Sequence, residues 1–283
     1  MPNAMSTLAH AKTRNLVICS VGDNSYHRRW LRGARRDFDV MLIYYGLAKD
    51  MFKEDADYYF QINGGLFKLE RIAAAVVKSY DVVRAYDAVC LPDDDISMDA
   101  SAVNRLFALF RKYDLDLAQP AVAGGTLSWP ITAQNRYCVL RYVNFIEMMC
   151  PVFRSRILLE QVHTFNLNRS GWGVDFLWSK NLQERRLAII DAVGMHHGRN
   201  ISRGEREYYR QLAKIGIKPG EELDTMRSEY DCDLVGKMKE YGRISKPVLM
   251  RGGICVTLAF QKILRSLKTR GGVGTLRHIL SKL

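Results

Sequence analysis

The sequence lacks the features that mark secreted and membrane-spanning chains. Its six cysteines show no C-x-x-C spacing, and most lie in apolar stretches, which is typical of buried free thiols in a reducing compartment. No run reaches the roughly 18 apolar residues that a spanning helix needs. Residues 1–13 have no hydrophobic segment of the signal-peptide kind. Internal repeats and low-complexity stretches are also missing. These absences favour a cytoplasmic globular protein.

What remains is an alternation of short apolar runs and amphipathic segments along 283 residues, enough for one large domain or two small ones. The patterns predict strands over 15–20, 38–45, 58–61, 87–92, 115–122 and 187–191, and helices over 66–80 and 100–113. This βαβαβ order predicts an α/β fold with a doubly wound, mixed but mostly parallel sheet flanked by helices. We expect a flexible segment 1–13, a catalytic domain 14–202, and a helical basic extension 203–283 without further sheet.

The net charge of +12 is unevenly distributed. Five arginines lie within nine residues: Arg28, Arg29, Arg32, Arg35 and Arg36. They could hold a diphosphate or an anionic acceptor, or form a solvated basic face. The last 33 residues, 251–283, contain seven Lys or Arg and no Asp or Glu, and Lys262, Arg265 and Lys268 lie opposite an apolar stripe. Such a helix binds an anionic membrane surface or docks on its own domain, and the sequence leaves both open.

Three adjacent aspartates, Asp93, Asp94 and Asp95, follow the apolar run 87–92. Neighbouring carboxylates repel one another unless a cation or strong donors neutralise them. The carboxyl end of a strand is where open α/β sheets bind ligands, and oxygen ligands there suit Mg²⁺ or Mn²⁺ with an attached phosphate. The alternative is an acidic turn before a helix, but a single Asp would be enough for a cap.

Two further motifs carry polar side chains of the same kind. In 170–175 (SGWGVD), two glycines allow close backbone approach and Asp175 begins an aromatic helix, where it would also complement the helix dipole. Farther along, His196 and His197 follow the predicted strand 187–191 after a short turn. Together with the aspartates, these histidines form a plausible carboxylate and imidazole ligand set.

These motifs, in this order, resemble the GT-A class of nucleotide-sugar-dependent glycosyltransferases. More narrowly, 86–96 (YDAVCLPDDDI), 144–153 (NFIEMMCPVF), 171–178 (GWGVDFLW) and 189–199 (IIDAVGMHHGR) resemble a GT-A-like family known as domain of unknown function 707. The resemblance covers about 15–202. It departs from the pattern in having two histidines where one is needed, and His197 matches better than His196.

The resemblance implies a role for each motif residue. Asp95 would bind the metal directly, Asp93 would hold the ribose or a metal-bound water, and His197 or, second, His196 would complete the metal shell. Asp94 and Lys68 would contact the nucleotide, although Lys68 is equally readable as a solvated helix lysine. Asp175 would be the general base of an inverting transfer or, alternatively, would only hold an acceptor hydroxyl. The acceptor side would include Gly171, Trp172, Gly173, Arg141 and Glu147, the last two being alternatively a structural ion pair.

The resulting prediction is a Mn²⁺- or Mg²⁺-dependent glycosyltransferase, of hexosyltransferase type, acting in polysaccharide biosynthesis. It would move a sugar from a nucleotide-sugar donor to a glycan or lipid-linked acceptor, as a cytoplasmic protein compatible with peripheral binding to the inner membrane face. One rival is a metal-dependent nucleotidyltransferase or phosphohydrolase, but 21–24 (VGDN) lacks the G-x-x-x-x-G-K-[ST] pattern. The other is a non-catalytic basic protein binding membrane or nucleic acid. It leaves the three aspartates unexplained, so we expect no nucleic-acid partner.

Overall fold

The computed structural model describes residues 13–65, 67–183, 185–198 and 207–247. Within them, one sheet is built from strands β1 (Asn15–Val21), β2 (Asp39–Tyr44), β3 (Tyr58–Gln61), β4 (Ala88–Cys90), β5 (Ile96–Ser97), β6 (Leu117–Gly125), β7 (Cys138–Val143), β8 (Val152–Arg154), β9 (Leu187–His197) and β10 (Glu240–Ser245). The α-helices are α1 (Lys68–Lys78), α2 (Tyr80–Arg84), α3 (Ala100–Lys112), α4 (Ser155–Gln161), α5 (Val174–Asn181), α6 (Glu207–Lys214) and α7 (Pro219–Glu229). The predicted basic helix within 251–283 and nearly all of segment 1–13 lie outside the described residues.

The strands form a mixed sheet in the order β10-β7-β9-β6-β8-β4-β1-β2-β3, and β5 pairs with β9 off this path. The pairs β1–β2, β1–β4, β2–β3 and β6–β9 are parallel and include the longest ladders. Strands β5, β7 and β8 pair antiparallel with their neighbours, over only two or three residues each. The predicted α/β class with a mostly parallel sheet is confirmed.

Helices cover both faces of the sheet. Every residue of β1 is buried, and its side chains alternate between two hydrophobic clusters. Leu16 and Ile18 join one cluster, with buried residues of α1, whereas Val17 and Cys19 join the other, with buried residues of α3. A strand that is apolar on both sides must be covered on both sides, which is the physical basis of the doubly wound arrangement.

Most of the predicted elements are present in the structure, but several strands were not predicted. Strands β1, β2, β3, β4 and β6 and helices α1 and α3 were predicted, and Asp99 caps α3 by accepting from the Ala102 amide at 2.8 Å. Strands β5, β7, β8 and β10 were not. Strands β5 and β8, of two and three residues, are too short to show an alternating hydrophobic pattern, and β10 (EYGRIS) has no apolar face of its own.

Strand β9 continues past the predicted end at Asp191 to His197. Its partner register shifts there, from Pro120 opposite Ile190 to Ala121 opposite Gly194. A bulge of this kind interrupts the alternation of side chains that a sequence pattern depends on. The two histidines therefore lie on the strand itself, and not after a turn.

The segment after residue 203 contains the expected helices and also strand β10. Buried Met226 of α7 and Cys232 belong to the same cluster as Leu16 and Ile18. The described residues up to Ile244 belong to one compact unit. No helix in the described part of the chain is both long and apolar enough to cross a bilayer.

Candidate active site

The three aspartates occupy the loop between β4 and β5, and the loop turns their side chains in different directions. The Asp93 amide donates to the Met149 carbonyl at 2.8 Å, and the Ile96 amide returns to the Asp93 carbonyl at 3.2 Å. Asp94 Oδ2 accepts from the Gly22 amide at 3.2 Å and from the Tyr45 hydroxyl at 3.3 Å. Asp94 therefore ties this loop to the ends of β1 and β2, whereas its neighbours face a common centre with His197.

His197 reaches the aspartates because β5 pairs with the end of β9, with Ile96 opposite His197. The imidazole is 3% exposed, and its Nε2 lies 3.3 Å from Asp95 Oδ2. Its Nδ1 lies 3.4 Å from the Thr126 carbonyl oxygen, which can only accept. In the tautomer protonated at Nδ1, the ring donates to this carbonyl and its Nε2 lone pair faces the Asp95 carboxylate. A cation bound between these two atoms would stabilise that arrangement.

Asp93, Asp95 and His197 can each direct one ligand atom to a shared point, the three atoms lying within 4.8 Å of one another. Two carboxylate oxygens and a neutral imidazole suit a divalent cation such as Mn²⁺ or Mg²⁺. The Thr126 carbonyl orients the ring, as the outer partners of metal-bound histidines do. His196 lies opposite Ser97, its side chain is exposed, and it is not a member of this group. We refer to Asp93, Asp95 and His197 as the metal-site triad.

Lys68 lies beside the triad, in the first turn of α1. Its ammonium forms an ion pair with Asp93 and donates to the Met148 carbonyl at 2.8 Å. Burial of Lys68 opposes its charge, but the Asp93 carboxylate outweighs burial and raises the pKa of Lys68. The alternative of a solvated helix lysine is therefore wrong, since the side chain is largely buried and paired.

Asp175 is buried in the first turn of α5, two residues after Gly173. Gly171 and Gly173 have φ of +76° and +87°, and an added Cβ would come within 2.5 Å of Met148 Cε and 2.8 Å of Met226 Cβ, respectively. Burial raises the pKa of Asp175 to about 7, although the Phe176 amide at 3.0 Å and the Met148 amide at 3.4 Å stabilise the carboxylate. A carboxyl with this pKa can take up and release a proton near neutral pH.

Met148 connects Asp175 to the triad. Its amide donates to Asp175 Oδ2, while its carbonyl accepts from Lys68, which in turn pairs with Asp93. The next residue back, Glu147, is also buried, and its Oε2 has no hydrogen-bond partner among the described residues. Burial, together with the nearby Asp175 and Asp93 charges, raises the pKa of Glu147 to about 7, despite a hydrogen bond from Ser128. The 144–153 motif thus joins both parts of the site.

Trp172 and Arg141 have surroundings that the sequence did not reveal. Trp172 is half-buried, with its ring edge-on to Tyr209 at 6.4 Å. Arg141 makes a buried two-point ion pair with Asp191, from Nε at 2.9 Å and from a terminal nitrogen at 3.1 Å, and also donates to two carbonyls of the segment 130–133. The expected place of Arg141 at the acceptor side is thus not supported, because these bonds hold its guanidinium within the sheet. The partner in its structural ion pair is Asp191 rather than Glu147.

Two residues of this region, Arg71 and Tyr208, were not predicted as site residues from the sequence. Arg71 donates from Nε to Ser20 Oγ at 2.8 Å, and its guanidinium lies over the Tyr45 ring at 4.3 Å. It follows Lys68 by three positions, so the two cations share a helix face, and that spacing was a usable signal. Tyr208 is close enough for Asp93 and Arg71 to influence its pKa, which burial raises. No signal marked Tyr208, since it comes from the charged segment after residue 203.

No protein-family model matches the chain, and no curated protein does. One solved structure that resembles it is S. aureus TarS, with 9% identity and a TM-score of 0.48. The match covers 77% of this chain but only 43% of the TarS chain. Another is S. aureus TarS 1-349 in complex with UDP-GlcNAc (10% identity, TM-score 0.48, 77% of this chain and 71% of that one). A third is a putative nucleotide-diphospho-sugar transferase from Desulfovibrio desulfuricans G20, with 15% identity and a TM-score of 0.40. The match covers 77% of this chain and 98% of that one. At these values the likeness carries no argument about chemistry, which rests on the geometry above.

Proposed function

We propose that this protein is a Mn²⁺- or Mg²⁺-dependent glycosyltransferase of the GT-A type that uses a nucleotide-sugar donor. The single observation that carries the proposal is the convergence of the metal-site triad with Asp175, a buried carboxyl linked to Asp93 through Met148 and Lys68. Transfer from a nucleotide sugar needs both parts, because a diphosphate must leave while an acceptor hydroxyl loses a proton. The sequence resemblance to the GT-A class and to domain of unknown function 707 points the same way.

In this mechanism Asp93, Asp95 and His197 would hold the cation, and Asp175 accepts the proton of the acceptor hydroxyl. A bound divalent cation would offset the charge that develops on the leaving diphosphate. Lys68 keeps Asp93 oriented and adds positive charge beside the phosphates. The carboxyl of Asp175, with a pKa of about 7, is poised to be ionised before the reaction and protonated after it. Attack by the acceptor from the side opposite the leaving group gives inversion at the anomeric carbon.

The finer parts of the proposal follow from sequence features. Donor sugars of the hexose class fit the resemblance. Half-buried Trp172 offers a flat surface for an acceptor sugar, beside Gly171 and Gly173. The carboxylate of Glu147 lies near Asp175 and can accept a hydrogen bond from a hydroxyl group of the sugar acceptor. From the basic segment 251–283 we propose a glycan or lipid-linked acceptor at the cytoplasmic membrane face, and with it a function in polysaccharide biosynthesis.

A thermal-shift screen of nucleotide sugars with and without Mn²⁺ tests the proposal. At a ligand concentration of 100 times Kd, we expect at least one nucleotide sugar to raise the Tm by about 5 °C, only when Mn²⁺ is present. Asp95→Ala should abolish this rise because the triad loses a ligand. The matched control Asp81→Ala removes an exposed carboxylate on α2 and should behave like the parent protein. An equal, metal-dependent rise in Asp95→Ala would contradict the proposal.

The products distinguish the main rival. Glycosyl transfer breaks the bond between the sugar and the diphosphate, so it releases a nucleoside diphosphate. A phosphohydrolase breaks the diphosphate itself and releases a nucleoside monophosphate and a sugar phosphate. Release of the latter pair by the parent protein, lost in Asp95→Ala, would replace the glycosyltransferase proposal by the hydrolase.

A further inference from the structure

A second concave site lies at the opposite edge of the sheet from the metal-site triad. Asp87 directly precedes β4, whereas Asp93 follows it, and Arg14 directly precedes β1. Arg154, at the end of antiparallel β8, pairs with Ala88 at the start of β4. These residues line a groove of about 920 Å³, within the size range of small-molecule sites. We call it the basic groove.

Positive charge dominates the lining of the basic groove. Six cationic side chains line it: Arg14, Arg84, Arg111, Lys112, Arg154 and Arg156. Three carboxylates accompany them: Asp87, Asp114 and Glu160. Four of these cations already have carboxylate partners: Arg14 pairs with Asp87, Arg111 with Asp37, Arg154 with Asp114 and Asp116, and Arg156 with Asp116. In the part of the chain that the structure describes, neither Arg84 nor Lys112 has a carboxylate partner, although Lys112 lies over the Tyr113 ring at 5.5 Å.

The basic groove also contains a hydroxyl group that the fold leaves unsatisfied. Ser155 lines the groove and is 4% exposed, and its buried Oγ has no hydrogen-bond partner among the described residues. Buried polar groups are nearly always hydrogen-bonded, so this hydroxyl is available to a ligand oxygen that enters the groove. Exposed Tyr80 and partly buried Leu159 add apolar surface beside it.

We infer that the basic groove binds a phosphate-bearing organic ligand, independently of the metal-site triad. A phosphate group supplies negative charge for Arg84 and Lys112 and several oxygens that can accept from Ser155 Oγ and from guanidinium groups. The carbon portion of the ligand would pack against Tyr80 and Leu159. Because the groove supplies mainly donors and cations, this binding needs no divalent metal.

Calorimetric titration of the full-length protein in EDTA tests the inference, since EDTA removes metal-dependent phosphate binding at the triad. The probes are inorganic pyrophosphate and dihexanoyl phosphatidic acid below its micellar concentration. We expect the Arg84→Ala/Lys112→Ala double variant to bind the better probe about tenfold more weakly or worse. Tighter binding of phosphatidic acid would identify a lipid headgroup as the source of the phosphate. Tighter binding of pyrophosphate would identify a soluble phosphate.

Two single variants sharpen the test. Ser155→Ala should weaken binding about fivefold while leaving the Tm unchanged, because its hydroxyl makes no bond within the described protein. Arg105→Ala removes an exposed arginine of α3 that does not line the groove, and should bind like the parent protein. The inference would be overturned if the parent protein bound neither probe with a Kd of about 1 mM or lower. Equal affinities in the parent protein and the groove variants would also overturn it. Equal weakening in Arg105→Ala would do the same, by indicating unspecific charge attraction.

Discussion

At Asp175, burial and hydrogen bonding act in opposite directions on one carboxyl group. Burial raises its pKa, two backbone amides favour its ionised form, and the balance lies at about 7. Asp94, by contrast, is half-buried and receives a backbone amide and a tyrosine hydroxyl. The two aspartates therefore differ: Asp94 fixes a loop, whereas Asp175 is the residue that we propose for proton transfer.

Asp175→Asn should separate catalysis from stability. We expect transfer to fall about 10³-fold, because the amide cannot accept the acceptor proton. In the parent protein, kcat/KM should fall tenfold per pH unit below about 7, as Asp175 becomes protonated. Steady-state rates between pH 5 and pH 9 measure both effects. A variant that keeps half of the parental rate would remove Asp175 from the mechanism.

The same substitution should stabilise the protein at alkaline pH. The folded-state pKa of Asp175 lies above the unfolded value, so the folded state binds the proton more tightly. The contribution of this tighter proton binding to the free energy of unfolding is fully present below about pH 4, and it is lost as the pH rises through about 7. Asn carries no charge to bury, so its Tm advantage over the parent protein should grow by about 5 °C between pH 5 and pH 8. Asp224→Asn, in an exposed position, is the control and should show no such trend.

Among the elements, the end of β9 determines whether the metal-site triad forms. It pairs with β5 on one side and with the end of β6 on the other, where Gly125 lies opposite His197. Gly125 has φ of +83°, and an added Cβ would lie 1.9 Å from the His197 carbonyl oxygen. Only glycine allows this approach, so the β6–β9 ladder depends on one residue without a side chain.

Gly125→Ala should destabilise the protein and weaken Mn²⁺ binding together. The variant combines backbone strain of about 1–3 kcal/mol with a clash against the backbone that carries His197. Gly64→Ala is the matched control, since Gly64 has φ of +72° and open space around its Cβ position. It bears the strain alone and should keep the parental Mn²⁺ affinity. Calorimetric Mn²⁺ titration and thermal melting compare the two, and equal losses in both variants would refute the role of the close approach.

For the molecule as a whole, charge is distributed unevenly. The chain carries +12, and the segment 251–283 contributes seven Lys or Arg without an Asp or Glu. Three of the clustered arginines are already held: Arg28 by Asp55 at 2.7 Å, Arg36 by Asp57 at 2.9 Å, and Arg29 by Ser97 Oγ at 3.0 Å. These contacts favour a structural function for the cluster over binding of a diphosphate.

The C-terminal cations are the ones we expect to bind a membrane. Replacing Lys262, Arg265 and Lys268 by Glu in the full-length chain should weaken binding to vesicles of anionic lipid about a hundredfold or more, since each cation contributes about 1 kcal/mol. The same charge change at Arg32, Arg35 and Arg105 is the control and should have a much smaller effect. Co-sedimentation with vesicles measures both, and equal losses would attribute binding to net charge alone.

The sequence by itself determined the main strands and helices and predicted a cation site. Apolar runs such as 15–20 and the helical period of 66–80 produce their elements locally, and three adjacent aspartates predict a cation or phosphate site because neighbouring carboxylates repel one another. The resemblance also favoured His197 over His196, and among the described residues the structure brings His197, not His196, to Asp93 and Asp95.

Tertiary structure decided the rest, because it depends on pairing between distant segments. Strand β5 is two residues long and exists only through its pairing with the end of β9, and that pairing joins His197 to Asp95 across a hundred positions of sequence. The partner of Arg141 is Asp191, at a bulge that no alternation reveals. The basic groove likewise gathers cations from four separate segments at one sheet edge. Charge and hydrophobicity are written residue by residue, whereas burial and mutual distance exist only once the sheet has formed.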